Sequence, residues 1–326
     1  MLGGTMIENY DVNVNSTRNV RGAIFYDTDK GPMLLREWNA SIKRLPVLNA
    51  LGLEMEKHGY VHMDSLIATK MGEFYCEDED GVKYILKKWY VGKECDPMRE
   101  TEIMEGVRNL ALLHRTMEEC EGPWPEQRET LEQEYFRHNR ELRKVRSFIR
   151  NQTMKGRFEL AFLKHFEGMY EWATASAEHL KNSDYEKLLE CSKKEGKLVH
   201  GDYNYHNILL MNGAVATTNF EHFHRGIPVT DLYDFLRKTM EKNQWNVALG
   251  HKILETYSRI LPLSDSQMEY IAICLSYPEK FWKVANSYYR SSKSWISAKN
   301  LEKLEMAILQ VQNKQEFLKT LFSFSC

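Results

Sequence analysis

The chain has 326 residues and a mass of 38.4 kDa, which suits two domains or one two-lobed unit. Hydrophobic residues make up 43% and charged residues 28%, so a sizeable core is available and wholesale disorder is excluded. Lys+Arg 44 against Asp+Glu 46 leaves a net charge of -2. That argues against a generally basic nucleic-acid binder and leaves room only for a local basic patch. No apolar run approaches the roughly 18 residues of a membrane span. Met1 to Tyr10 lacks the basic-then-apolar pattern of a secretory signal. The cysteines Cys76, Cys95, Cys120, Cys191, Cys274 and Cys326 form no C-x-x-C pair. They read as reduced thiols of a protein made in a cytosol, with later cross-links left open.

The first ninety or so residues read as β-rich. Tyr10, Val12 and Val14 alternate with polar residues, as a half-buried strand would. Arg21 to Asp27 and Met33 to Trp38 flank the turn signal Asp29-Lys30-Gly31-Pro32 and predict a hairpin. Ile42, Leu45, Leu48, Leu51 and Met55 have helical spacing, with Pro46 in the first turn and Gly59 as the stop. A second hairpin is expected from Ser65–Lys70 and Glu73–Cys76 to Val82–Tyr90. The acidic run Glu77 to Gly81 lacks the alternating oxygen ligands of a calcium loop and reads as its solvated turn.

Beyond Gly92 the pattern becomes helical. Met104, Val107, Leu110, Ala111 and His114 share one face. Trp124 and Pro125 mark a loop. Leu131, Tyr135, His138, Leu142, Val145 and Ile149 form an amphipathic stripe. His138 on that stripe reads as a packed side chain. The opposite face carries Arg137, Arg140, Arg143, Lys144, Arg146 and Arg150, either a solvated face or a docking surface for an anionic ligand. The order of elements predicts two lobes meeting at a cleft near residues 89–95.

The informative stretch is a hairpin embedded among the later helices. A short strand, Lys197 to His200, runs into His200-Gly201-Asp202-Tyr203-Asn204-Tyr205-His206-Asn207. An apolar pair of strands then turns at Asn212-Gly213 and ends at Asn219-Phe220-Glu221. An Asp followed five residues later by an Asn, on a loop opening a hairpin, is the catalytic-loop arrangement of kinases. There the Asp orients the attacking hydroxyl, and the Asn holds a metal on the nucleotide phosphates.

H-G-D-x-x-x-x-N resembles the aminoglycoside and choline phosphotransferase branch of the kinase-like fold. The strings HGDYNYHNILL, TDLYDFLRKTMEKNQW at 230–245 and YPEKFWKVANSYY at 277–289 resemble more narrowly the CotS-type spore-coat proteins. The resemblance covers nearly the whole chain. It implies an α+β, bilobal protein-kinase-like fold, with a small β-rich lobe over 1–92 and a mainly helical lobe over 93–326. It also implies a protein synthesised in the mother-cell cytoplasm and placed in the spore coat among other coat proteins. No nucleic acid and no membrane is expected as a partner. If the protein is active, the acceptor is a small-molecule or glycan hydroxyl, because Asn219 to Asp231 is too short for a protein-substrate activation segment.

Carried across residue by residue, the resemblance makes Asp202 the catalytic base, Asn207 a magnesium ligand, His200 the structural histidine and Asp231 the acid that steadies the loop. Three departures follow. The metal-binding acid is Asn219, which coordinates magnesium without supplying charge. The phosphate-gripping lysine is Arg36, a bulkier planar fork. The first turn, expected at Asn15-Ser16-Thr17-Arg18-Asn19, lacks the glycines that let backbone approach phosphates. Glu221 is a substitute metal acid only if its loop allows. No glutamate of the following helix is an obvious partner for Arg36, since Glu54 and Glu56 lie late in it. Mg-ATP is the implied cofactor, with weak binding expected and magnesium at Asn207 and Asn219. Two readings stand: an ATP-dependent phosphotransferase, or a catalytically degenerate pseudokinase serving coat assembly. Cys95 reads as an ordinary cysteine, and His222 and His224 as a weak metal pair. Tyr277, Phe281, Trp282, Tyr288, Tyr289 and Trp295 read as core packing by default or, if several are exposed beside the cleft, as a surface for stacking on a sugar or ring or for coat assembly.

Overall fold

The computed structural model describes residues 6–20, 22–291 and 298–324. They group into two compact units. One holds the described residues up to Glu126 together with Gly196–Asp231. The other holds Gln127–Glu195 and the described residues from Leu232 onward.

In the first unit, β1 (Val14–Val20), β2 (Ala23–Thr28) and β3 (Gly31–Glu37) form an antiparallel meander. The second turn falls at Asp29-Lys30 as expected, with Gly31 at φ +96°. The first does not. Val20 pairs with Ala23, and Gly22 takes φ +76°, so Asn15 to Asn19 is strand rather than turn. Every residue of β1 is exposed, so no apolar alternation marks this strand. A tight glycine turn closes its hairpin instead. Arg21, expected to open β2, lies outside the described residues. Of the strand expected around Tyr10 to Val14, only Val14 is strand; Tyr10 is a core residue packed with Met33, Leu35 and Leu86.

A 3₁₀ turn, Ile42–Arg44, leads into α1 (Leu45–Lys57), which buries Leu48, Leu51 and Met55. Gly59 ends it at φ +84°. Next come β4 (Leu66–Ile67), β5 (Cys76–Glu77) and β6 (Lys83–Lys88), with β4 and β5 both on β6 and the sheet ordered β1-β2-β3-β6-β4. The acidic run is their turn: Gly81 N–H donates to the Asp78 carbonyl at 3.0 Å and Asp80 N–H to Asp78 Oδ1 at 3.0 Å. Pairing of β3 with β6 sets Leu34 opposite Lys87 and Arg36 opposite Ile85. The two-residue period of strands therefore puts Arg36 and Lys87 on one face of the sheet, and Met33, Leu35 and Leu86 on the other.

The chain continues through β7 (Lys93–Glu94) to α2 (Glu100–Met117), which buries Met104, Val107, Leu110, Ala111 and His114. β7 pairs with β9 (Ile208–Met211), which pairs with β10 (Ala214–Thr217) around Asn212-Gly213. A Cβ on Gly92 would stand 2.7 Å from the Leu210 carbonyl oxygen, so glycine permits this close approach. Cys95 is buried, and burial together with nearby acids pushes its thiol up to about 12. It is an ordinary core cysteine. β8 (Leu198–Val199) pairs with β11 (His224–Arg225).

The second unit is helical. α3 (Leu131–Arg150) starts at a Thr130–Gln133 capping box, which satisfies two donors of its first turn. It buries Tyr135, His138, Leu142, Val145 and Ile149. The His138 ring stacks on Trp282 at 3.3 Å, and burial lowers its pKa to about 4. On the basic face Arg137 pairs with Glu129 and Arg146 with Glu167, while Arg140, Arg143 and Lys144 are exposed. Tyr277, Phe281, Trp282 and Tyr288 are buried and Tyr289 is 43% exposed; Trp295 lies outside the described residues. Among the described residues no helix is long and apolar enough to cross a membrane.

Candidate functional site

The site is built around Asp231, whose side chain is 1% exposed. Its Oδ2 accepts the His200 N–H at 2.6 Å and faces His114 Nε2 at 3.1 Å; its Oδ1 accepts the Gly201 N–H at 2.9 Å. Burial raises the pKa of such a carboxyl, but the contacts from His114 and His200 outweigh it and hold Asp231 below the usual range. His200 Nε2 donates to the Thr218 carbonyl at 3.0 Å, because a carbonyl only accepts. Its Nδ1 is then the acceptor for the Asp202 N–H at 3.2 Å. The ring is neutral, and burial lowers its pKa. The Phe220 ring packs edge-on against it at 4.5 Å.

Gly201 has φ +79°, and a Cβ there would stand 2.3 Å from the His222 carbonyl oxygen. This backbone leaves no room for a side chain, which is the local reason for Gly between His200 and Asp202. Asp202 is half-buried. Its Oδ1 accepts from Asn204 Nδ2 at 3.0 Å and its Oδ2 from Asn207 Nδ2 at 3.0 Å.

Asn219 opens a 3₁₀ turn in the left-handed region, φ 65° and ψ 53°, a conformation that Asn tolerates better than most residues. Its Nδ2 donates to Asn207 Oδ1 at 2.7 Å, and its Oδ1 accepts from Arg36 Nη1 at 2.8 Å. The result is one chain of hydrogen bonds, Arg36 to Asn219 to Asn207 to Asp202. Its ends fix the middle. A guanidinium only donates, so it takes Asn219 Oδ1; a carboxylate only accepts, so it takes Asn207 Nδ2. The two amides can then face each other in one way.

Behind this chain lies a buried ion cluster. The Lys87 ammonium, 3% exposed, contacts Asp64 Oδ2 at 2.9 Å and Glu221 Oε1. Asp64 Oδ2 also accepts the Asn219 N–H at 2.8 Å, and Arg36 Nη1 lies 3.5 Å from Glu221 Oε1. Burial lowers the Lys87 pKa, but Asp64 and Glu221 outweigh it and hold the lysine charged. Glu221 is held below its usual range by Lys87 and Arg36 against the opposing pull of burial, whereas burial wins at Asp64 and raises it. Arg44 secures the loop by donating to the carbonyls of Glu221 and Phe223.

The structure thus brings together Arg36, His200, Asp202, Asn207, Asn219 and Asp231. The partner of Arg36 is Glu221 rather than a helix glutamate; Glu54 pairs with Lys57. Lys87 and Asp64 escaped the sequence reading. For Lys87 a signal exists: it is in phase with Ile85 on β6, the face that Lys88 does not share. Asp64 follows Met63 in an irregular segment and carries no such pattern. Among the described residues no group of three or more His, Cys, Asp or Glu side chains is placed to hold a metal. The donor set also fits magnesium poorly. Both amide oxygens, Asn207 Oδ1 and Asn219 Oδ1, already accept hydrogen bonds. One of these bonds comes from a cation, and Lys87 engages the acids Asp64 and Glu221.

Comparison with known proteins bears on the family and the fold. A family model described as "Spore coat putative kinase YutH" matches residues 4–321. The chain is 23% identical over 316 residues to spore coat protein S of Bacillus subtilis, covering 95% of this chain and 89% of that one. Among solved structures, an aminoglycoside phosphotransferase from Alicyclobacillus acidocaldarius superposes with a TM-score of 0.86 at 16% identity, over 98% of this chain and 95% of that one. An AMP-bound spectinomycin phosphotransferase gives 0.70 at 11% identity, over 98% of each. The fold is that of the aminoglycoside phosphotransferases.

Proposed function

We propose that this chain, which belongs to the YutH spore-coat kinase family, is a coat component whose kinase-like site binds nucleotide weakly and is not built for efficient phosphoryl transfer. The observation that carries the reading is the 2.7 Å bond between Asn219 and Asn207, held between Arg36 and Asp202. Metal-assisted kinases neutralise developing phosphoryl charge with divalent ions held by an acid and an amide. Here both positions are amides, and their oxygens face donors. Magnesium would supply charge to the phosphates, but the oxygens of Asn207 and Asn219 that would hold it are already engaged, so weak binding of Mg-ATP is expected. In this reading the lobes run over 1–92 and 93–326, and the protein is made in the mother cell before joining other coat proteins.

A second reading, phosphoryl transfer to a hydroxyl of a small molecule or glycan, draws support from Asp202. Its carboxylate is steered by Asn204 and Asn207 as a base for a hydroxyl proton would need to be. One experiment separates the two. Purified protein is offered ATP and a panel of sugars and amino alcohols, and spores carrying Asp202→Asn are compared with spores altered at the exposed aromatic pair Phe148 and Tyr289. The coat reading expects no acceptor-dependent ATP consumption, normal Asp202→Asn spores and impaired coats from the aromatic change. ATP consumption abolished by Asp202→Asn would contradict it.

A further inference from the structure

The disagreement between the donor set and a divalent metal points to what the site takes instead. We infer that Arg36 is an anion site that holds a nucleotide phosphate without a divalent cation, a claim that rests on the nucleotide-binding part of the reading above. Three observations carry it. First, Arg36 hydrogen-bonds through Nη1, to Asn219 and Glu221. Among the described residues Nε and Nη2 have no protein partner, and the side chain is 35% exposed. A guanidinium with two such donors is the geometry that grips phosphate oxygens in pairs.

Second, no acid is reserved for Arg36. Lys87 and Arg36 face Asp64 and Glu221, two cations against two acids. Glu221 touches both cations, so Arg36 is not consumed by a dedicated acid. Its nearest hydrogen-bond partner is a neutral amide. Third, the amide bridge closes the metal positions. For a cation to enter, Asn219 Nδ2 would have to leave Asn207 Oδ1, and the incoming charge would lie close to Arg36. A carboxylate at 219 would attract such a cation; the amide does not. The cation beside the phosphate is therefore part of the chain itself.

The chemistry names the ligand as a phosphate anion, either of a nucleotide or of inorganic polyphosphate. Calorimetry on the full chain, with ATP and separately with inorganic tripolyphosphate, decides it, each first in excess chelator and then in magnesium. ATP affinity should agree within about threefold in the two conditions. Arg36→Gln should lower it by roughly tenfold to a hundredfold, the worth of a charge-assisted pair. Arg36→Lys should fall between, and Asn219→Asp should make binding magnesium-dependent. Tripolyphosphate binding as tightly as ATP would assign the site to the phosphates alone; ATP binding much the tighter would add the nucleoside to it. ATP binding seen only with magnesium, affinity unchanged by Arg36→Gln, or no binding in either condition would overturn the inference. Magnesium-dependent binding would do so while leaving the coat reading intact. Acceptor-dependent ATP turnover would instead contradict the coat reading.

Discussion

The two ends of the loop from His200 to Asn219 are built by opposite rules. At the Asp231 end, a buried acid receives two backbone N–H groups and faces His114, and the loop is held by charge. At the Asn207 end, two neutral amides hold each other, and the charges stand outside them, at Arg36 and Asp202. The comparison teaches that the groups anchoring this loop and the groups joining Asn207 to Asn219 are physically separate.

The largest expected effect breaks the first end. Asp231→Ala leaves one buried and one part-buried backbone donor without this acceptor, and at roughly 1–3 kcal/mol for each lost partner it should cost about 2–5 kcal/mol of stability. Chemical denaturation checks it; a loss below about 1 kcal/mol would show that the anchor is not structural. Next is Gly201→Ala. The positive φ and the 2.3 Å approach to the His222 carbonyl should together cost about 2–3 kcal/mol, read as a lowered unfolding midpoint. A neutral result would mean that the loop shifts freely, and the contrast between the two ends would weaken.

Asp202→Asn sharpens the comparison from the other side. The carboxylate is half-buried and accepts from two neutral amides, so stability should change by less than about 1 kcal/mol. A larger loss in the same denaturation series would make Asp202 part of the anchor.

The smallest effect is in pH. His200 is buried and neutral with a lowered pKa, so the unfolded chain takes up its proton first as pH falls below about 6.5. Stability should therefore decline on acidification through that window. Asp231, with its own pKa lowered, adds stability that is present above the ordinary carboxylate range and lost below it. The amides do not titrate, so Asn219→Ala should keep the wild-type slope of melting temperature against pH, while His200→Gln flattens it. An altered slope in Asn219→Ala would show that the ends are coupled.

Much of this was legible from local chemistry. Asn212-Gly213 marked the hairpin, the Asp202–Asn207 spacing marked the loop, and Asn219 and Arg36 stood out by their positions in a recognisable pattern. What stayed hidden depends on long-range register. Lys87 meets Asp64 and Glu221 only because β6 sits beside β3 and the 219–223 loop folds under Arg44. β1 was misplaced because a strand exposed on both faces carries no apolar alternation, so only the turn chemistry at Gly22 could locate it.

The central claim is that the amide bridge, rather than a metal, joins Asn207 to Asn219. Manganese is a paramagnetic stand-in for magnesium, and its binding can be followed by electron paramagnetic resonance on the full chain with ATP in excess chelator-free buffer. The wild type should hold no manganese beyond what ATP binds alone, and Asn219→Asp should immobilise one ion per chain. An immobilised ion in the wild type, lost on changing Asn207 to Ala, would contradict the account.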